Sequence, residues 1–242
     1  MSTNVKLHRL GRGLSLCIRK KTFHTGGRKL IVQDVIPVFR PWRSTRLLMI
    51  AGTNAYYSEV PLPPFRHRLP CYAYTAGALK NREPSFYRHA LVLGLGGGTV
   101  PRWLLEEYPN LSVDVVDVSS TILHICPEYF LQKWQNSERL TYFCTDARDY
   151  EAEDGYYQFI FCDLFDGEAA APFIYHPAFV RKLRKMLCKD GILLVNCGWE
   201  ADQTKLTNVY RSLFPQVKNV ERQPWQTTVL MASSGPLDEN RK

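Results

Sequence analysis

The sequence lacks long hydrophobic runs, internal repeats and low-complexity tracts. No apolar run approaches the roughly 18 residues that a membrane-spanning helix needs, so we expect no contact with a membrane. The stretch Val5–Arg12 is broken by charged residues and contains no apolar signal core. These features predict a cytoplasmic protein.

Paired metal ligands and paired cysteines are also missing. The seven cysteines include no C-x-x-C pair, and their odd number does not suit a disulfide framework. The six histidines are not paired at metal-ligand spacing, so no metal site is expected. Cys144 and Cys162 lie in apolar, strand-like runs and are predicted to be small core residues. The absence of G-x-x-x-x-G-K-S/T excludes ATP hydrolysis of the P-loop type.

The net charge of +8 is concentrated near the N-terminus. Residues 1–50 hold eleven lysines and arginines and one acid, Asp34, whereas residues 51–242 sum to −2. Such a segment is either a solvated face or subunit contact, or a binding surface for RNA or a nucleotide. From the sequence alone we favour the first interpretation and keep nucleic acid as the alternative partner.

Two patterns of secondary structure divide the chain. Residues 1–60 show short β-prone runs at 14–19, 30–37 and 46–51, separated by breaks, and a short helix is predicted at 72–80. From residue 90 strands alternate with helices, which predicts a parallel sheet with right-handed crossovers. The predicted strands are 90–93, 112–117, 140–144, 157–162, 192–196, 216–221 and 227–232, and the predicted helices are 100–108, 120–131, 177–188 and 202–214.

A short loop joins the last two predicted strands, so they pair antiparallel if they are neighbours. Five parallel units followed by two hairpin strands, one of them antiparallel to the rest, resemble the seven-stranded sheet of class I SAM-dependent methyltransferases. We therefore expect an α/β fold with two parts: a small, basic, β-rich region over residues 1–80, and a Rossmann-like transferase domain over residues 81–242.

A glycine-rich turn follows the strand predicted at 90–93. An apolar strand that ends at such a turn and opens a helix is typical of a nucleotide-binding βα unit. Without Cβ atoms the backbone can turn tightly, and a ligand can approach the N–H groups at the helix start. Such a turn also occurs in proteins where it binds nothing, so its assignment to ligand binding depends on the residues at the ends of the other predicted strands. The glycines are Gly94, Gly96, Gly97 and Gly98.

Carboxylates follow the next three predicted strands. Asp117 ends the second strand, Asp146 closely follows the third, and Asp163 follows the fourth, with Asp166 three residues later. Ligands of open α/β sheets bind beyond the carboxyl ends of the strands, where Asp117 suits a ribose diol. Asp146 or Asp163 alone could simply cap a turn. Together with the glycines, the acids favour a ligand with a ribose, an adenine and a cationic centre such as a sulfonium.

These motifs resemble the spermidine synthase family of the class I SAM-binding superfamily. The resemblance covers about residues 86–198 and rests on four segments: Leu93–Pro101, Val115–Asp117, Asp146–Ala147 and Asp163–Asp166. It implies an enzyme that transfers a group from SAM to a small-molecule acceptor. It also implies that the N-terminal β region can form a homodimer interface.

The resemblance further implies roles for single residues. Asp117 would hold the ribose, and Asp146 would lie near the adenine. Asp163 would accept a proton from the attacking amine, while Asp166 would help to hold a cationic substrate. The predicted cofactor-binding residues are Gly94, Gly96, Gly97, Gly98, Thr99, Asp117, Val118, Asp146, Ala147 and Asp163. The predicted substrate-binding residues are Tyr72, Phe165, Tyr175 and His176, the last with a loop or helix cap as the competing interpretation.

Thr99 departs from the family pattern. Aminopropyltransferases have an aspartate there, which holds the ammonium group of decarboxylated SAM. Intact SAM also carries a carboxylate, which an acid would repel and a helix N-terminus would attract. Thr99 therefore favours methyl transfer from SAM to an amine or another small nucleophile. Aminopropyl transfer to a polyamine is the alternative, and a non-catalytic SAM-fold protein that binds RNA or a protein through its N-terminus is a third hypothesis.

Overall fold

A computed structural model describes residues 6–10, 13–52, 56–65, 69–166, 169–198, 201–220 and 228–236. The first part of the chain contains β1 (Lys6–Leu10), β2 (Gly13–Thr25), β3 (Arg28–Pro37), β4 (Thr45–Ile50), β5 (Tyr56–Pro61) and α1 (Pro70–Leu79). The chain continues with β6 (His89–Leu93), α2 (Thr99–Glu107), β7 (Ser112–Asp117), α3 (Ser120–Tyr129), β8 (Leu140–Cys144) and β9 (Tyr157–Cys162). The last elements are β10 (Phe165–Asp166), β11 (Ala169–Ala170), α4 (Pro177–Met186), β12 (Leu187–Gly198), α5 (Gln203–Arg211), β13 (Gln216–Val220) and β14 (Thr228–Ser233).

The chain forms two compact units, each of which is made of three separate segments of the sequence. The first unit comprises residues 1–69, 96–99 and 119–135, and the second comprises residues 70–95, 100–118 and 136–242. The second half of the glycine turn and α3 therefore belong to the first unit. The expected division at residue 80 stays a prediction.

The first unit is built on an antiparallel sheet with strand order β1-β2-β3-β4-β5. The Asp34 carboxylate on β3 accepts two hydrogen bonds from the Arg46 guanidinium on β4, at 2.6 and 2.8 Å. The same guanidinium donates to the Tyr129 carbonyl oxygen at 2.6 Å. The Tyr129 ring also meets Phe23 of β2 edge to face. These contacts fasten α3 to the sheet.

The second unit contains a seven-stranded sheet with the order β13-β14-β12-β9-β6-β7-β8. Strands β12, β9, β6, β7 and β8 run parallel, and β14 pairs antiparallel with both β12 and β13. This is the sheet predicted from the sequence, including the antiparallel last strand. No helix of the described ranges is both long enough and apolar enough to cross a membrane.

The centre of this sheet is apolar, as its predicted strands require. Leu91, Ile160 and Leu193 on three adjacent strands are completely buried. Cys162 is a core residue as predicted, but the prediction for Cys144 was wrong, because that side chain is exposed. Cys144 ends β8, which among the described strands pairs with β7 alone.

The structure also contains strands that the sequence patterns did not predict. These are β1, β5 and the two-residue pair β10 and β11. Strand β12 begins at Leu187, directly after α4, and a bulge separates its first pairing from the regular register that starts at Ile192. The predicted strand at 192–196 is the regular part of this longer strand.

Candidate active site

The carboxyl ends of β6, β7 and β9 lie side by side in the second unit. Leu93 pairs with Val116 on one neighbour and with Cys162 on the other. The Gly94 N–H donates to the Val116 carbonyl oxygen, and the Asp163 N–H donates to the Leu93 carbonyl oxygen, both at 2.8 Å. The predicted glycine and the predicted catalytic acid are therefore adjacent because of backbone pairing.

Gly94 is needed for two reasons. Its φ is +88°, in the left-handed region that glycine tolerates best. A Cβ at this position would overlap the Asp163 carbonyl oxygen. A side chain here would therefore strain the loop and displace the end of β9.

Asp117, the predicted ribose ligand, holds the start of the glycine turn. Its Oδ2 accepts a hydrogen bond from the Leu95 N–H at 2.8 Å. The carboxylate is partly exposed, and the next residue, Val118, is 73% exposed. Asp117 thus lies at an open strand end, where a diol could reach it.

Asp163 is a half-buried acid that is hydrogen-bonded from the neighbouring strand. Its Oδ1 accepts a hydrogen bond from Asn196 Nδ2 at 2.7 Å, and Asn196 lies on β12, next to β9 in the sheet. Burial raises the pKa of Asp163 to about 6, although the Asn196 hydrogen bond acts in the opposite direction. A carboxylate with a pKa near working pH is well suited to general base catalysis.

Tyr74 on α1 is a site residue that the sequence interpretation missed. Its ring stacks on Phe161, with centroids 6.2 Å apart and an interplanar angle of 18°. Burial raises the pKa of the Tyr74 hydroxyl well above its usual value, and the charges of Cys71 and Asp163 raise it further. The hydroxyl therefore stays protonated and can donate a hydrogen bond. The predicted tyrosine was Tyr72, whose side chain lies outside the described part of the structure.

Asp146 adopts the turn-capping role that competed with ligand binding. Its Oδ1 accepts from the Arg148 backbone N–H at 2.8 Å and from Arg148 Nε at 3.0 Å, and its Oδ2 accepts from the second guanidinium nitrogen at 2.7 Å. The Arg148 side-chain hydrogen bond is the main reason why the pKa of Asp146 is lowered. Arg148 also lies over the Phe173 ring, 5.1 Å from its centroid. Ala147 is buried. An adenine that used Asp146 would therefore share it with Arg148.

The segment after Asp163 carries the other predicted substrate ligands. Phe165 and Asp166 form β10, paired with β11, and the Asp166 side chain is exposed. Tyr175 is half-buried, with the Lys205 ammonium 5.5 Å from its ring centroid. His176 is exposed at the N-cap of α4, as its competing interpretation expected. Substrate binding by these residues stays a prediction.

The second half of the glycine turn is packed within the first unit. A Cβ at Gly97 would come within 2.7 Å of the Ser58 Cβ, and one at Gly98 would come within 2.6 Å of the Cys126 sulfur. Thr99 is buried, and its hydroxyl donates to the Glu59 carbonyl oxygen at 2.9 Å. The Thr99 hydroxyl also lies 2.5 Å from the Ser58 hydroxyl. The residue that replaces the family's aspartate is thus an uncharged group held by β5.

Comparison with known proteins agrees with the strand-end motifs. Residues 90–191 match a family described as a methyltransferase domain. A polyamine aminopropyltransferase of Vibrio vulnificus is 32% identical over 151 residues, which are 60% of this chain and 48% of the relative. A mouse eEF1A lysine and N-terminal methyltransferase is 27% identical over 118 residues, 44% of this chain and 16% of the relative. The chain thus spans half or less of the length of these curated relatives.

The fold has neighbours among solved structures. A "probable spermidine synthase" from Corynebacterium glutamicum superposes with a TM-score of 0.72 at 16% identity, covering 92% of this chain and 82% of that one. The methyltransferase-domain match and these relatives confirm the predicted resemblance to the spermidine synthase-like, class I SAM-dependent methyltransferase family. The relatives include both aminopropyltransferases and methyltransferases.

Proposed function

We propose that this chain, with its class I methyltransferase fold, transfers the methyl group of SAM to an amine or another nucleophilic acceptor. The observation that carries the choice of methyl transfer is Thr99. At the position where the resemblance places an aspartate in aminopropyltransferases, this chain has a buried hydroxyl bonded to the Glu59 carbonyl oxygen. The Thr99 side chain has no carboxylate with which to hold the ammonium group of decarboxylated SAM.

The strand-end residues suit SAM as the group donor. Asp117 has the position and partial exposure to bind a ribose diol, and Asp146 with Ala147 follows the neighbouring strand, where an adenine would lie. The backbone N–H groups at the start of α2 favour an anionic group such as the SAM carboxylate. When bound, SAM supplies an electrophilic methyl carbon attached to a sulfonium.

Asp163 is the proposed base. With a pKa of about 6 it is ionised at neutral pH, and it can take a proton from an ammonium acceptor. Asn196 orients the carboxylate through Oδ1, and exposed Asp166 attracts a cationic acceptor. The remaining contribution of the protein is positioning, since holding the two reactants in line lowers the entropic cost of reaction.

Aminopropyl transfer from decarboxylated SAM is the second candidate. The observation in its favour is the 32% identity to the Vibrio vulnificus polyamine aminopropyltransferase, which exceeds the identity to the mouse methyltransferase. The basic first unit argues against it, because polyamines are themselves polycations.

Binding measurements distinguish the two candidates. We expect calorimetry to show SAM binding at least about tenfold more tightly than decarboxylated SAM, a difference of about 1.4 kcal/mol. Thr99→Asp should weaken SAM binding and reverse the preference for SAM over decarboxylated SAM. Thr99→Asn has the shape of the aspartate variant but no charge, and it should keep the preference for SAM. Tighter binding of decarboxylated SAM by the unmodified chain would make aminopropyl transfer the correct assignment.

A further inference from the structure

We propose that the turn between β3 and β4 binds single-stranded nucleic acid. This turn comprises residues 38–43, Val-Phe-Arg-Pro-Trp-Arg, and is called the aromatic–arginine turn below. It lies entirely within the first unit. The proposal does not depend on the methyl transfer proposed above, since none of the residues involved belongs to the strand-end cluster of acids.

The aromatic–arginine turn exposes large apolar side chains to solvent. Phe39 is 78% exposed and Trp42 is 57% exposed, and Val38 and Leu14 are also exposed. The Val38 N–H donates to the Leu14 carbonyl oxygen at 3.0 Å, so these two residues lie beside each other at the start of the turn. Large aromatic side chains are usually buried, so two exposed aromatics within one four-residue segment mark a candidate interaction surface.

The backbone of the turn is held in a defined conformation. The Arg40 N–H donates to the Pro37 carbonyl oxygen, and the Arg43 N–H donates to the Arg40 carbonyl oxygen. Pro41–Arg43 forms a single 3₁₀ turn, which the Ser44 N–H and hydroxyl close on the Pro41 carbonyl oxygen. Phe39 and Trp42 are therefore presented by ordered backbone, which lowers the entropic cost of binding a partner.

The first unit is strongly basic, and its few acids are already engaged. It contains fourteen lysines and arginines but only three acids. Asp34 is buried in its ion pair with Arg46, and Glu59 is buried. Glu128 lies 3.9 Å from the Lys21 ammonium. A polyanion approaching this unit would therefore meet cations and little opposing charge.

The chemistry of the aromatic–arginine turn favours single-stranded nucleic acid over a protein partner. Exposed aromatic faces stack on unpaired bases, and adjacent arginines bind phosphates. Arg40 and Arg43 are both exposed, and within the described residues neither has a salt bridge to a carboxylate. Elsewhere the first unit also exposes lysines such as Lys20 and Lys29, which protein interfaces usually deplete.

Fluorescence anisotropy with labelled oligonucleotides of about 20 nucleotides tests the proposal. We expect single-stranded RNA or DNA to bind more tightly than a duplex of equal length, with affinity falling steeply as salt rises. Phe39→Ala with Trp42→Ala should lower affinity at least about tenfold through lost stacking. Arg40→Gln with Arg43→Gln should reduce the slope of log K against log salt by about 1.4, because each single-strand phosphate contact contributes about 0.7.

The control removes two exposed arginines of the second unit, Arg181→Gln with Arg184→Gln, and should leave binding unchanged. All variants alter exposed side chains, and circular dichroism verifies that each is folded. Three results would overturn the proposal. The first is no single-strand binding at about 50 mM salt. The second is equal oligonucleotide affinity of the aromatic variant and the unmodified chain. The third is that poly-L-glutamate competes as well as an unlabelled oligonucleotide of the same charge. Conversion of a dimer to a monomer by the aromatic variant would instead identify an interface between two copies of the chain.

Discussion

Asn196 Nδ2 donates a hydrogen bond to Asp163 Oδ1 at 2.7 Å. Asn196 lies on β12, and Asp163 directly follows β9, its neighbour in the sheet. The amide stabilises the ionised carboxylate in surroundings that otherwise disfavour charge, so the pKa of Asp163 rises only to about 6. The pair combines a partly desolvated base with a partner that keeps it ionised at neutral pH.

Asp163→Asn is expected to abolish most of the activity. General base catalysis contributes about 100-fold or more, and the amide cannot accept a proton. For the proposed methyl transfer, kcat/KM of the unmodified chain should rise with pH through about 6 and then level off, whereas the variant should lose this acidic limb. Methyl transfer from radiolabelled SAM across pH 5–9 measures both effects. A variant with undiminished turnover would exclude Asp163 as the base.

The same substitution should stabilise the fold at neutral pH. Because the folded pKa of Asp163 is raised from about 4 to about 6, the folded state binds the proton more tightly. Its stability is therefore highest below pH 4, falls as pH rises to about 6 and stays lower above that. Asp163→Asn should gain up to about 3 kcal/mol at pH 8 and nothing at pH 4. Urea unfolding at the two pH values provides the comparison.

Asn196→Leu should move the pH profile without removing the base. Loss of the hydrogen bond that lowers the pKa of Asp163 should raise that pKa above about 6, and the acidic limb should move to higher pH. Asn208→Leu, an exposed amide on α5, is the matched control and should leave the profile unchanged. An unshifted profile in Asn196→Leu would show that the amide does not act through Asp163.

Gly94→Ala should be much more destabilising than an alanine at another glycine with positive φ. The added Cβ meets the Asp163 carbonyl oxygen, and together with the backbone strain we expect a cost above about 3 kcal/mol. Gly27 has a φ of +77° but open space around it, so Gly27→Ala should cost only about 1 kcal/mol. The difference in thermal stability between the two variants gives the steric contribution of the contact with the Asp163 carbonyl oxygen. Equal costs would mean that the loop relaxes around the methyl group.

Asp34→Asn should destabilise the first unit by about 3 kcal/mol. It leaves the Arg46 guanidinium buried without its counter-ion, and breaking one side of a buried pair is costly. The exposed pair Lys185–Asp154 is the control, and Asp154→Asn should cost less than about 1 kcal/mol. Chemical denaturation monitored by Trp fluorescence measures both. A small effect at Asp34 would indicate that water reaches the Arg46 side chain in the variant.

The alternation of strands and helices after residue 90 was predictable because it depends on local periodicity. Strands 112–117, 140–144 and 157–162 have the predicted bounds. The antiparallel strand β14 was also predictable, since a short connection allows no crossover. Strands β1 and β5 were not predicted, because their stabilisation comes from pairing with neighbours rather than from a strong apolar pattern.

The residue types at the strand ends are evident from the sequence: glycine after β6, Asp117 at the end of β7, and acids after β8 and β9. What those residues contact follows from the folded structure. Asp146 is bound by Arg148. Asp163 accepts a hydrogen bond from Asn196, which follows it by 33 residues, and the helix that carries Tyr74 precedes the sheet. Residue type and spacing are local properties of a chain. A pKa depends on burial and on partners that are distant in sequence, and those exist only once the sheet has formed.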